Sequence, residues 1–331
     1  MKVTRDPGGP LPDLSGAPIE LPPEDLPPAG VAVGEPVARS QFQLIRRRFL
    51  RHRLAVGSLA ILLILFVMAI FAKQVARYPA NPVPLPLLQA YHGPSVAHWF
   101  GTDELGRDQA TRILYAARIS LTIGLMVAIC STVVGVFVGS VAGYFGGWID
   151  QILMRITDLF LIVPALAVIA MAEQGFQGKH VPVVGVLSSS TLIIIILSFL
   201  FWMIIARVVR GLFLSIKEKE FVEAARASGA SSWRVMFRHI IPNIIGPIAV
   251  NTTLVVGAAI VLESTLSFLG FGVKLPQVSL GSMLSNAETS VGTRTSYLIY
   301  YPGLFLLLVV LCVNFVGDGL RDAFDPQSRH H

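Results

Sequence analysis

From position 41 onward, long uncharged apolar runs alternate with short charged stretches. Six runs stand out, at about 54–72, 119–144, 152–172, 183–206, 243–262 and 298–316. The first is 19 residues without a charge, from Leu54 to Ala72. Wound as a helix at ~1.5 Å per residue it reaches roughly 28 Å, close to the hydrocarbon thickness of a bilayer. Inside lipid each backbone polar group must be paired within its own segment, so each run is expected to be helical. The pattern predicts an all-α polytopic membrane protein with six transmembrane helices. Pro164 and Pro247 fall within runs as candidate kinks, and Pro182 falls just before one, where a helix start tolerates it. Gly135, Gly139 and Gly143 lie on one face of the second run, where they would let a neighbouring helix approach closely.

The polar part of the chain sorts in the same direction. Charged residues are 14% of the sequence and hydrophobic residues 53%. A soluble domain carries about 25% charged residues. Residues 1–38 hold nine of the 21 prolines and few large apolar side chains, so a disordered tail is expected at 1–40, ahead of a membrane domain at 41–329. That tail does not read as a signal peptide, because the first apolar run starts too late. The stretch FQLIRRRFLRHR at its end is basic and amphipathic. Six spans place both ends of the chain on one side, and eighteen of the 26 Lys and Arg residues fall on that side. The positive-inside bias then makes both termini and the segment between the fourth and fifth runs cytoplasmic. The net charge of +6 is accounted for by this topology, and no nucleic-acid partner is expected. Cys130 and Cys312 lie in apolar runs and read as small buried hydrophobes.

The segment from Gly211 to Asn243 is too long and too patterned for a simple helix–helix connector. Lys217 to Ser228 favours a helix, with Lys219–Glu223 at i,i+4 and Glu223–Arg226 at i,i+3. Gly229 suits the left-handed position just past a helix end. Ser231 or Ser232 can cap a second helix that carries Trp233, Met236, Phe237 and Ile240 on one apolar face, with Pro242 limiting or restarting it. Small residues at the elbow (Ala224, Ala225, Gly229) suit insertion into a cleft on a partner. The same chemistry also fits a helix pair lying on lipid headgroups.

Several ordered stretches carry a family resemblance. EAARASG followed by RHIIP resembles the EAA loop of bacterial ATP-binding-cassette (ABC) importer permeases, with Ile241 where Leu is usual. HWFGTDELGRDQATRILYAARISLTIG at 98–124, GYFGGWIDQILMRITDLFLIVP at 143–164, ESTLSFLGFG at 263–272 and NFVGDGLRDAFDP at 314–326 resemble the C-type permease of the dipeptide/oligopeptide/nickel subfamily. The resemblance implies a type I importer permease forming half of a translocation pathway with a homologous second permease. It implies two cytoplasmic ATPase subunits, or one fused tandem ATPase, which would hold ATP and Mg. It implies an extracytoplasmic binding protein and a bacterial cell membrane. Within loop 211–242, Glu223 would anchor the contact with the ATPases and Ala224, Ala225 and Gly229 would seat it closely. Trp233, Met236 and Phe237 would fill an apolar cleft or pack the elbow, and Pro242 would close the loop. The chain departs from the family at Leu280–Gly281, where Trp-Gly is usual, and at FWMIIARVVRG, and both bear on substrate passage.

What the sequence lacks narrows the classes. There is no phosphate loop of the G-x-x-x-x-G-K-[ST] kind, so this chain is not expected to bind ATP or any other cofactor itself. Arg155 and Asp158 lie near the start of the third run, where they read as an i,i+3 pair, and Glu263 follows the fifth. No run carries a carboxylate at its centre, which argues against an ion-coupled secondary transporter, and a self-contained secondary transporter or channel stays as the rival class. Neither metal-ligand spacing nor a catalytic constellation appears, and the terminal His330 and His331 alone make no metal site. Asn251, Thr252 and Thr253 in the fifth run could line a pathway or bond between helices. Peptide, nickel and other small-solute cargo remain open.

Overall fold

A computed structural model of the chain describes residues 41–79, 91–162 and 188–325, with positions 164, 167, 168, 171, 175, 180, 181, 185 and 186 between them. The expected tail at 1–40, Pro182 and the terminal histidines lie outside the described residues. So does most of the second half of the third run.

The elements are α1 Gln41–Arg51, α2 Arg53–Ile70, α3 Gln109–Phe145, α4 Gly147–Ile162, α5 Ser189–Ile216, α6 Glu220–Ala227, the helical run α7 Ser232–Phe268, α8 Leu280–Asn286 and α9 Tyr297–Phe324. A two-residue antiparallel pairing joins His180–Val181 to Gly185–Val186. Among the described residues five helices are long and apolar enough to span a membrane: α2, α3, α5, α7 and α9. The third expected span is represented by α4, with 16 residues.

Several helices outrun their apolar windows. α3 begins at Gln109, ten residues before the expected start, because Asp108 caps it by accepting from the Thr111 N–H at 2.8 Å. At 37 residues it is about 55 Å long and projects beyond a bilayer. α5 starts at Ser189 rather than 183, where the Ser188 hydroxyl caps it, and continues to Ile216. Pro247 lies inside the run, in the first turn of its α-helical part, Ile245–Phe268, just past the tight turn Ile241–Ile244, where a missing N–H is tolerated. Pro164 lies beyond the end of α4.

The core is the seam between α3 and α5, with α7 closing one side and α9 joining α7 to α2. The three glycines of α3 create the seam. A Cβ at Gly135 would stand 2.6 Å from the Ile205 Cβ, and one at Gly143 2.5 Å from the Phe213 Cβ. The helices therefore approach more closely than any side chain would allow. Ion pairs fix α4 to α5: Arg210 donates from Nε to Asp150 Oδ1 at 2.5 Å and from Nη2 to Oδ2 at 2.7 Å, and Arg207 pairs with Asp158. This corrects the reading of Asp158 as an intrahelical partner of Arg155, because the guanidinium reaching it comes from the neighbouring helix. α1 turns against α9, where Arg48 donates to the Asp325 carbonyl at 2.8 Å.

Candidate functional site

The elbow between α5 and α7 is held by capping bonds at its reversal. Lys217 and Lys219 belong to the turn after α5, not to the short helix, which begins at Glu220. Glu220 and Glu223 occupy its first turn and Arg226 its last, each favourable for the helix dipole. Past Ser228 the chain reverses through Gly229 at φ +79°. The Gly229 N–H donates to the Arg226 carbonyl at 2.9 Å and the Ala230 N–H to the Ala225 carbonyl at 3.1 Å. This is the two-bond C-terminal cap that a left-handed glycine permits. Ser231 then caps the next helix through the Arg234 N–H.

That next helix is not a separate short one. After Ser232–Arg234 the chain winds as a wider π-turn over Val235–Ile240, then tightens over Ile241–Ile244 and runs on as the fifth span. Pro242 sits at the start of the tight turn, where it needs no N–H, and the run passes through it. The expected apolar face divides. Met236 and Ile240 are fully buried, whereas Trp233 and Phe237 are about half exposed. Those two stack on each other (ring centroids 5.7 Å apart), and Trp233 also stacks on Phe137 of α3 at 6.2 Å. One edge of the stripe is buried in the bundle, and the other lies half exposed against α3.

The elbow has two faces as a result. On the inner face Val222, Val235 and Met236 are fully buried in one cluster with Ile205, Val209 and Phe213 of α5. Arg226 lies over the Tyr144 ring at the end of α3, 5.0 Å from its centroid. On the outer face Glu223, Ala224 and Gly229 are exposed, with Ala225 half-buried. Glu223 forms no ion pair among the described residues.

The pathway candidates are half-buried in α7. The Asn251 amide donates to the Pro247 carbonyl at 2.8 Å and Thr253 to that of Val250 at 2.7 Å. Thr252 donates to the Ile248 carbonyl and lies 2.9 Å from the Thr132 hydroxyl of α3. Their polar groups are engaged within and between helices.

Two polar centres at the other end of α3 escaped the sequence reading. Glu263, expected to follow the fifth span, lies inside its helix and is fully buried. Ser120 and Ser267 each donate to its carboxylate at 2.8 Å, with Ser264 at 3.4 Å. The signal was Ser267, four positions after Glu263 and on the same helix face. The second centre is Asp103. One of its oxygens accepts from the Leu105 and Arg107 N–H groups, and the other from Arg107 Nε at 2.7 Å and from buried Arg112.

A bundle of membrane-length helices, with a two-faced helical elbow packed against one end and buried ionic centres at the other, defines a multi-spanning membrane component. The comparisons with known proteins agree. The family described as binding-protein-dependent transport system inner membrane component matches residues 135–330, and the N-terminal TM domain of oligopeptide transport permease C matches residues 40–94. The oligopeptide transport system permease protein OppC of Mycobacterium tuberculosis is 40% identical over 291 residues, covering 88% of this chain and 96% of that protein. The dipeptide transport system permease protein DppC of Bacillus subtilis is 41% identical over 283 residues, covering 86% and 85%. An inward-facing MetNI methionine ABC transporter structure shares the fold, with a TM-score of 0.52 at 17% identity over 65% of this chain and 97% of the matched one. The chain belongs to the inner-membrane permease family of binding-protein-dependent transport systems, in its C-type peptide-permease branch.

Proposed function

We propose that this chain is one membrane subunit of an ABC importer for di- and oligopeptides, and that the exposed face of its elbow is the contact for separate ATPase subunits. The observation that carries the coupling role is the division of the elbow into a buried inner face and an exposed outer one. A push on Glu223, Ala224 and Gly229 would reach α3 and α5 through packed contacts, with Val222 and Met236 in the shared cluster and Arg226 over Tyr144. Such a packed lever suits a rigid-body switch between two orientations of the spans. The peptide cargo rests on the relatives named for oligopeptide and dipeptide transport, which match almost the whole membrane domain.

The remaining parts follow from that reading. A homologous permease lines the other half of the pathway, and an extracytoplasmic binding protein delivers the peptide. ATP and Mg sit on the ATPase subunits, and the assembly lies in a bacterial cell membrane with the elbow and both chain ends cytoplasmic. The test is co-purification and transport in liposomes, native against Glu223→Lys combined with Gly229→Trp. The variant is expected to lose the ATPases or to lose coupling of ATP hydrolysis to peptide uptake. Equal behaviour of the two, or peptide uptake by the native chain without any ATPase, would overturn the reading in favour of a secondary transporter or channel. Uptake of a nickel chelate instead of peptide would keep the machine and change the cargo.

A further inference from the structure

Asn251, Thr252 and Thr253 of α7 spend their polar groups within and between helices. Asn314 of α9 differs: it is exposed and forms no hydrogen bond among the described residues. Its depth follows from the neighbouring helix. Gly319 lies against Ala55, the second residue of the uncharged run that begins at Leu54. Asn314 stands five residues further into the span, roughly 7 Å deeper at ~1.5 Å per residue. At that depth an amide turned to lipid would leave its donor and acceptor groups unpaired, which hydrocarbon penalises. Polar side chains within spans instead face protein or a water-filled cavity. The outward face of α2 shows the contrast: Ile61, Leu63, Ile64, Val67 and Ile70 are all exposed and all apolar, as a lipid-facing surface requires.

Asn314 lines an open groove of about 500 Å³ that runs along α7, with Phe201 of α5 and Val310 of α9 as its walls. Bare backbone at Gly257 makes the room, since a Cβ there would stand 3.3 Å from Asn314 Oδ1. The face of α9 that carries Asn314 changes character along its length. Toward Tyr297 it shows Leu304, Leu307, Leu308 and Leu311, a dry surface suited to packing against a second permease. Toward Phe324 it shows Asp318 and Arg321, four and seven positions on, both exposed and in no ion pair among the described residues. The polar track therefore ends in one free charge of each sign, the complement of the ammonium and carboxylate that an unblocked peptide carries.

We infer that this groove and the track that continues it form a water-filled wall of the peptide pathway, with the Asn314 amide as the group that hydrogen-bonds the backbone of the passing peptide. A carboxamide offers a donor and an acceptor together, as each peptide bond does, so it engages any sequence without reading side chains. The wall then lies on the α9 side of the groove rather than at Thr252 and Thr253, whose hydroxyls are already bonded.

The inference rests on the peptide-importer reading, and its test separates the two. Asn314→Cys, with Ile64→Cys as the lipid-facing control, is made in a chain whose Cys130 and Cys312 are replaced by Ala. Each is assembled with partner permease, ATPases and binding protein. A charged, membrane-impermeant methanethiosulfonate is applied with and without ATP, and uptake of tri-alanine into liposomes is measured beside it. Asn314→Cys should react at least tenfold faster than Ile64→Cys in at least one of the two states. Tri-alanine should slow that reaction, and the modified complex should lose most of its uptake. Asn314→Leu should keep the native melting temperature, because no bond within the chain is lost, yet cut uptake at least threefold, with Asn314→Gln closer to native. Ala258→Cys, on the α7 side of the same groove, is read in the same way if Asn314→Cys fails to assemble. Slow reaction in both states overturns the pathway wall while the importer stands, and a cross-link from this position to the second permease then marks the face as a subunit interface. Fast reaction with neither protection by peptide nor loss of uptake puts water there without peptide, and overturns it as well. Absence of peptide uptake by the native complex overturns both readings.

Discussion

Glycines in this chain act in two opposite ways, and single substitutions separate them. A Cβ at Gly139 would run into the Ala206 carbonyl and stand 2.9 Å from the Val209 Cβ. Gly139→Leu should therefore force α3 from α5, costing ~1–3 kcal/mol or more as overpacking, seen as a lower melting temperature of the purified protein. Gly211→Ala on the exposed side of α5, where nothing lies within 4 Å, should be neutral or stabilising by a few tenths to ~1 kcal/mol. Gly229 also has open space around it, yet its φ of +79° excludes a β-branched residue. Gly229→Val should cost ~1–2 kcal/mol of local backbone strain, and Gly229→Asn should recover most of it. The readout is protease cleavage between residues 217 and 231, which should rise for Val and stay near native for Asn.

The elbow is the element in which burial separates two faces, and the proposed coupling role makes that division testable. Val222 is the one fully buried residue of α6. Val222→Asp would place a carboxylate among Val209, Phe213 and Met236, where an unpaired charge is strongly unfavourable. α6 should lift from the bundle, and amide hydrogen exchange across 220–230 should quicken while α3 and α5 stay protected. In the reconstituted complex ATP hydrolysis should persist and peptide uptake should fall at least tenfold, because the lever loses its weld. Unchanged uptake would show that the inner face transmits nothing. Much of this element was legible in the sequence: Gly229 announced the reversal, Ser231 the cap, and the spacing of Met236 and Ile240 the buried edge. The rest depended on neighbours that a local pattern does not contain. Whether Trp233 faces the core is settled by how Phe137 of α3 packs against it, and the partner of Asp158 by which helix packs beside it. The early start of α3 was missed because its first turns are polar, held by the Asp108 cap and the Asp103–Arg112 pair rather than by hydropathy. Glu263 was missed because a carboxylate ringed by serines from α3 and α7 is a tertiary arrangement, and its local signal was only the serine spacing.

For the molecule as a whole, the proposed orientation follows from the distribution of basic residues along the helices. α1, the elbow and the end of α9 lie on the side that collects most of the Lys and Arg, including Arg46, Arg47, Arg210, Arg226 and Arg238. The α-helical part of α7 rises 24 residues from there, about 36 Å, enough to carry the chain across a bilayer to α8 and the Glu288–Ser290 turn. Glu223 and Glu288 are both exposed, at opposite ends of that helix. Cysteines placed singly at these positions, with Cys130 and Cys312 replaced by Ala, should differ in access. A membrane-impermeant maleimide added to intact cells, with an outer membrane opened first where one exists, should label Glu288→Cys. It should reach Glu223→Cys only after the cell membrane is permeabilised. The reverse pattern would put the basic end outside, against the positive-inside bias, and would remove the elbow from any cytoplasmic ATPase. The assay thus tests orientation and the coupling role together, and it does so without knowledge of the cargo.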